Sequence, residues 1–146
     1  MASETKISNA AAKAMLDTLV DSLDALTTSE IHVFVGTTNA DAATTPAGAL
    51  LAKLVTSTPC FGAATTASPS VATAAAITSD TSATDTGEAG CFWAGAVTTP
   101  GTIATGIIQG SAGVAGDTPD LVFDDDMIVI GGTVAITGWT ISLPTS

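Results

Sequence analysis

Few residues in this chain could do chemistry. His32 is the only histidine, and Cys60 and Cys91 are the only cysteines. The densest run of carboxylates is Asp124-Asp125-Asp126, with Asp117 and Asp120 upstream. A histidine acting as a general base needs an orienting partner and a nucleophile within reach. Alternation through Ile31, Val33 and Val35 places His32 on the opposite face, where an ordinary surface or edge histidine sits. Two cysteines and one histidine are too few for a zinc site, and no CxxC pair exists. Each cysteine precedes a phenylalanine, which suits two buried thiols on neighbouring strands. The alternative is a disulfide between Cys60 and Cys91, which a cytoplasmic setting disfavours.

Hard cations take oxygen ligands from acidic runs, but the DxDxDG spacing is absent around Asp124–Asp126. Successive carboxylates in a strand also point to alternating sides. The run reads as a solvated turn, with a weak or interface-completed cation site as the alternative. Gly110-Ser111-Ala112-Gly113 lacks the GxxxxGK pattern of a phosphate loop, and no lysine follows Lys53. No Ser-His-Asp order or glycosidase pair of carboxylates can be assigned. The expectation is a protein that is not an enzyme, with no catalytic, cofactor-binding or metal-ligating residues and no cofactor.

Charge narrows the partners. Three lysines and no arginine face 14 carboxylates, for a net charge of −11 at pH 7. Phosphate backbones need Lys or Arg to neutralise them, so nucleic acid and anionic membrane are not expected partners. No run approaches the roughly 18 apolar residues of a membrane span. Met1 to Ala10 lacks the apolar core of a secretory signal, which predicts a chain made in a cytoplasm and kept there, or exported without a signal. A mean hydropathy of +0.50 with 12% charged residues is apolar for a free monomer. Either the surface is largely Thr, Ser and Ala, or part of it is covered by other subunits, as in a homo-oligomer; the covered reading is the one expected.

The elements follow from patterning. With 146 residues, the chain can form one domain with a real core. Threonine, alanine and 14 glycines favour strands and turns over long helices. Residues 1–6 read as disordered. Ser8 is placed as a helix N-cap, with Ile7 and Ala12 as a hydrophobic staple. Leu16, Leu19, Leu23 and Leu26 then form a stripe on a helix of about five turns over residues 8–27. Asp17, Asp21 and Asp24 take the other side and oppose the macrodipole, so the helix depends on packing. The stripe covers either the chain's own strands or a neighbouring subunit. The division is an arm and amphipathic helix over 1–28 and a β-sandwich domain over 29–146.

Strands are expected at Ile31–Gly36, around Leu50–Val55, at Cys60–Gly62, over Ala89–Val97 and around Ile103–Ile108. Polar loops are expected at Thr37–Ala47 and Ile77–Glu88, a turn at Pro100-Gly101, and a glycine-rich loop over Gly110–Pro119. A closing pair follows. Met127-Ile128-Val129-Ile130 has no polar side, as expected of a strand covered on both faces. Gly131-Gly132 turns the chain. Val134 and Ile136 then change parity to Trp139, Ile141 and Leu143, which predicts a β-bulge at Thr137-Gly138. Strands recurring every 8–12 residues or so describe a mainly β domain, an antiparallel, jelly-roll-like sandwich with one N-terminal helix.

The order of these pieces is distinctive. The helix "ISNAAAKAMLDTLVDSLDA" precedes "IHVFVGTTNADAATTPAGALLAKLVTSTPCFGAA", and "AITSDTSATDTGEAGCFW", "IIQGSAGVAG" and "MIVIGGTVAITGWTISLP" follow. This layout resembles small β-rich structural proteins of tailed bacteriophages. The resemblance implies a virion component, most simply a capsid decoration (cement) protein that bridges subunits of the major capsid protein. It also allows a neck, collar or tail accessory contacting other virion proteins. A carbohydrate- or receptor-binding module is the rival class. It would need exposed aromatics, and only Trp93 and Trp139 are available, both on patterns that predict burial.

Overall fold

The computed structural model describes residues 5–26 and 28–144. The expected disorder of residues 1–6 falls, for residues 1–4, outside that range.

Ser8 caps the helix as its residue type predicts. Its backbone is extended, and its hydroxyl accepts the Ala11 N–H at 3.1 Å. Helix α1 runs Asn9–Asp21 and tightens into a 3₁₀ turn at Ser22–Asp24. It ends short of residue 27: no basic residue occupies its last turn, and the aspartates there oppose the dipole. Ala12, Leu16, Val20 and Leu23 are its buried residues, one line at spacings of 4, 4 and 3.

Two aspartates expected in solvent instead dock the helix. Asp17 accepts the Ala64 N–H at 2.7 Å and pairs with Lys13. The Asp24 carboxylate accepts the Cys60 N–H at 3.0 and 3.1 Å. Seven residues apart, they lie nearly along one helix line, and the 60–64 segment runs past both.

The strands are β1 (Thr28–Phe34), β2 (Leu50–Thr56), β3 (Ser70–Thr73), β4 (Ile77–Thr78), β5 (Gly87–Glu88), β6 (Cys91–Thr99), β7 (Thr102–Val114), β8 (Leu121–Phe123), β9 (Met127–Ile128) and β10 (Ile136–Leu143). Eight form one sheet in the order β3-β10-β8-β7-β6-β1-β2-β4, and β5 pairs with β9 apart from it. The β7–β8 pair is parallel and the others are antiparallel.

The two edges of this sheet are consecutive in sequence. Four residue steps from Thr73 to Ile77 span at most about 14 Å. Seven gaps across a flat eight-stranded sheet would span about 34 Å. The sheet must therefore curl until its edges approach. The described residues are mainly β, with 44% strand, 14% helix and one N-terminal helix. The pairings do not separate into the two antiparallel sheets of the expected jelly-roll-like sandwich, because one continuous mixed sheet folds over its own core.

Ile31 and Val33 of β1 enter the main core with Leu16, Leu51, Leu54, Phe92, Leu121 and Trp139. The other face of the sheet carries Phe34, Cys91, Trp93, Val97 and Ile103. Trp139 is 2% exposed and sits edge-on to Phe61 and Phe92, at centroid distances of 4.6 and 5.4 Å. The register of β10 shifts between Ile136 and Gly138, where the change of parity predicts a bulge.

Other expectations are corrected. β1 begins at Thr28, in the stretch read as the helix end. Gly110–Gly113 lies inside β7, not in a loop. A Cβ on Gly106 would fall 1.9 Å from Nε1 of Trp93, and one on Gly110 2.6 Å from the Phe92 ring. These glycines admit aromatic rings of β6, which is a packing role. Within Met127–Ile130 only Ile128 is buried. Its strand pairs with β5, not with β10. A two-residue neighbour covers one side of the run and leaves the rest in the open.

Replacing Asp24 with alanine removes the acceptor of the Cys60 N–H. It should cost about 1.5–3 kcal/mol in urea denaturation. A loss under about 0.5 kcal/mol would mean that this carboxylate does not hold the helix.

Candidate functional site

The sole histidine is not at the surface. Glu30 and His32 stand two residues apart on one face of β1, 2% and 5% exposed. His32 Nε2 lies 2.9 Å from Glu30 Oε2. The other Glu30 oxygen accepts the Gly101 N–H at 2.7 Å, and Lys53 Nζ donates to the Gly101 carbonyl at 2.8 Å. Gly101 has φ +81° in the Pro100-Gly101 turn between β6 and β7. That residue order suits a type II turn. The hairpin tip thus folds back over β1 and is clasped between Glu30 and Lys53.

A loop roofs the rest of this face. Trp93 meets His32 edge-on at 6.3 Å and donates from Nε1 to the Ala42 carbonyl at 2.7 Å. Gln109 accepts the Asn39 N–H at 2.9 Å and donates to the Thr44 carbonyl at 2.5 Å. Lys53, His32, Trp93 and Gln109 are register partners in a row across β2, β1, β6 and β7. The alternation of β1 put His32 on the correct face. Only the register reveals that this face is covered.

Burial holds the His32 pKa below its ordinary 6.5, opposed by the Glu30 carboxylate and aided by the Lys53 charge. The hydrogen bonds of the pair join β1 to the hairpin tip. None of them reaches a hydroxyl or thiol that could act as a nucleophile. The arrangement ties elements together.

The cysteines are free and buried in different places. Cys60 belongs to the main core and Cys91 to the cluster on the other face. Burial pushes both thiols up, which keeps them protonated and unreactive. Asp124 and Asp125 are exposed, and Asp126 is half-buried. Asp125 accepts the N–H of Met127 at 2.9 Å. Among the described residues, no group of three or more His, Cys, Asp or Glu is arranged to hold a metal.

The leucine stripe divides. Leu16 and Leu23 are buried in the core at 1% and 0% exposure. Leu19 and Leu26 are 39% and 42% exposed, and Met15, one turn before Leu19, is 54% exposed. A second exposed apolar group is Met127, Val129 and Ile130, at 52%, 57% and 62%. Sequence alone does not separate these sets, because stripe and run are apolar throughout. Among the described residues, no helix is long and apolar enough to cross a membrane. Comparison with family models, curated proteins and solved structures finds no match.

The buried histidine has a consequence for stability. Its folded pKa lies below 6.5, so protonation favours the unfolded chain. Stability linked to His32 is complete above that value and falls as pH drops through the folded pKa. Asp17, held below 3.8 first by Lys13 and then by the Ala64 N–H, adds its own loss only in stronger acid. Thermal melts from about pH 8 to about pH 5 should show Tm falling toward acid, with a shallower slope in His32→Gln. Equal slopes would assign the acid sensitivity to other groups.

Proposed function

We propose that the chain is a non-enzymatic structural protein of a bacteriophage virion, a capsid decoration protein that stabilises the head by bridging capsid subunits. The carrying observation is the apolar surface held outside the core, with Met15, Leu19 and Leu26 on the outer edge of the helix region. Apolar side chains grouped at a surface favour coverage by a partner. The resemblance in sequence layout to phage structural proteins supports the same reading. The buried Glu30–His32 pair supports it as well, since the one histidine is engaged within the fold.

The mechanism is association. A standard interface of about 1,600 Å² suffices for stable attachment, and many copies add avidity. The curled sheet serves as the rigid body that a jelly-roll-like sandwich would provide. Net negative charge suits an outer surface that must not bind released DNA. A sugar-binding module finds little support, because both tryptophans are buried, at 7% and 2%, and offer no stacking platform.

The test is addition of purified protein to heads lacking decoration. Wild type should bind saturably and raise the temperature at which heads rupture. Leu19→Asp with Leu26→Asp should keep the wild-type Tm and lose self-association or head binding by about tenfold or more. Leu16→Asp should unfold the protein, because its site is closed. Failure of wild type to bind any head or virion component would defeat the reading.

A further inference from the structure

We propose that the Met127–Ile130 loop and the hollow beside it form a docking surface for an extended segment of a partner protein that carries both basic and apolar side chains. This rests on the reading of the chain as an attached accessory protein and names a second surface for attachment, apart from the Leu19–Leu26 edge.

The loop is held in place, with its apolar side chains outward. Ile128 anchors it at 4% exposure. The Ala89 N–H donates to the Asp126 carbonyl at 2.8 Å, the Ile130 N–H to Thr86 Oγ1 at 2.9 Å, and the Gly131 N–H to the Ala83 carbonyl at 2.8 Å. The Gly132 N–H closes the turn onto the Val129 carbonyl at 2.8 Å. One flank is thus bound along residues 83–89. Beside the loop lies a hollow of about 310 Å³, lined by Asp124, Asp125, Met127, Val129, Thr133 and Val134 among others. Strand β9 pairs with β5 along one edge; on the other, the Met127 N–H is met by Asp125 at 2.9 Å and the Val129 carbonyl by the Gly132 N–H, so what the loop offers a partner is its side chains and the hollow.

Charge selects the occupant. Asp124 and Asp125 stand exposed at the rim, and Asp126 is half-buried behind them. Lys13 is engaged with Asp17 and Lys53 with the Gly101 carbonyl, and among the described residues no salt bridge joins a lysine to Asp124 or Asp125. A second copy docking here through a two-fold contact would set the same aspartates against each other. Anionic lipid would be repelled. Apolar side chains beside carboxylates that pair with no lysine among the described residues instead match Lys or Arg interleaved with Val, Ile or Leu.

The experiment uses three synthetic ten-residue peptides of alternating Lys-Val, Lys-Ser and Glu-Val. Each is titrated into the full chain and followed by amide chemical shifts. The Lys-Val peptide should bind with shifts centred on residues 124–135. It should weaken about tenfold or more when Val129→Ser and Ile130→Ser are combined, and again with Asp124→Asn and Asp125→Asn. The variants should retain the wild-type Tm. Equal binding of Lys-Ser, shifts centred elsewhere, no binding, or a dimer that the Val129→Ser and Ile130→Ser changes abolish would each overturn the proposal. Head binding is measured in parallel. If wild type binds heads but ignores the Lys-Val peptide, the docking surface is wrong while the virion reading stands. If it binds that peptide at this loop but no head, the surface stands and the virion reading fails.

Discussion

Glu30 and His32 occupy a strand covered on both faces, and much of the architecture answers to that fact. A buried carboxylate without partners is costly, so its oxygens must be met by donors. One meets His32 and the other meets the backbone of Gly101. That second bond requires the β6–β7 hairpin to bend its tip over β1, and Lys53 holds the same residue from β2. Trp93, beside His32, then needs an acceptor and finds it in the loop at Ala42. The polar face is closed by a chain of donors and acceptors. The apolar face of the same strand, Ile31 and Val33, is closed by hydrophobic packing.

Curvature follows from the other end of the sheet. Because β3 and β4 are joined by a short link yet lie at opposite edges, the sheet wraps its core and leaves the helix to cover what remains. Helix α1 does so with Leu16 and Val20 facing inward and two aspartates bonded to the 60–64 backbone. The helix is thus fixed by burial and by charge-assisted hydrogen bonds, despite poor C-terminal electrostatics.

The legible features were the local ones. Ser8 as a cap, the core-facing leucines, the Pro100-Gly101 turn, the bulge near Gly138 and the burial of Trp139 all follow from residue type and period. Pairing was not legible. Nothing local says that Lys53, His32, Trp93 and Gln109 lie abreast, so alternation alone puts His32 at the surface. Gly110 looks like a loop residue until the Phe92 ring above it is known. Asp17 and Asp24 carry a seven-residue spacing that puts them on one helix line, but the backbone that meets them is 47 and 36 residues away in sequence. The run Met127–Ile130 shows the limit of hydropathy: an apolar stretch without alternation is as consistent with a covered strand as with a patch awaiting a partner.

The protein has two chemically different apolar faces, a leucine and methionine edge on the helix region and a loop beside exposed aspartates. Both suit attachment, and the only histidine is built into the fold. The central claim is that the chain works as a bound component of a particle. Electron microscopy of intact virions from the source of this sequence tests it most directly. The account predicts repeated density for this fold on the outer shell, with Met127–Ile130 or the Leu19–Leu26 edge buried against a neighbouring subunit. Particles lacking this chain, or holding it with both apolar faces turned to solvent, would contradict it.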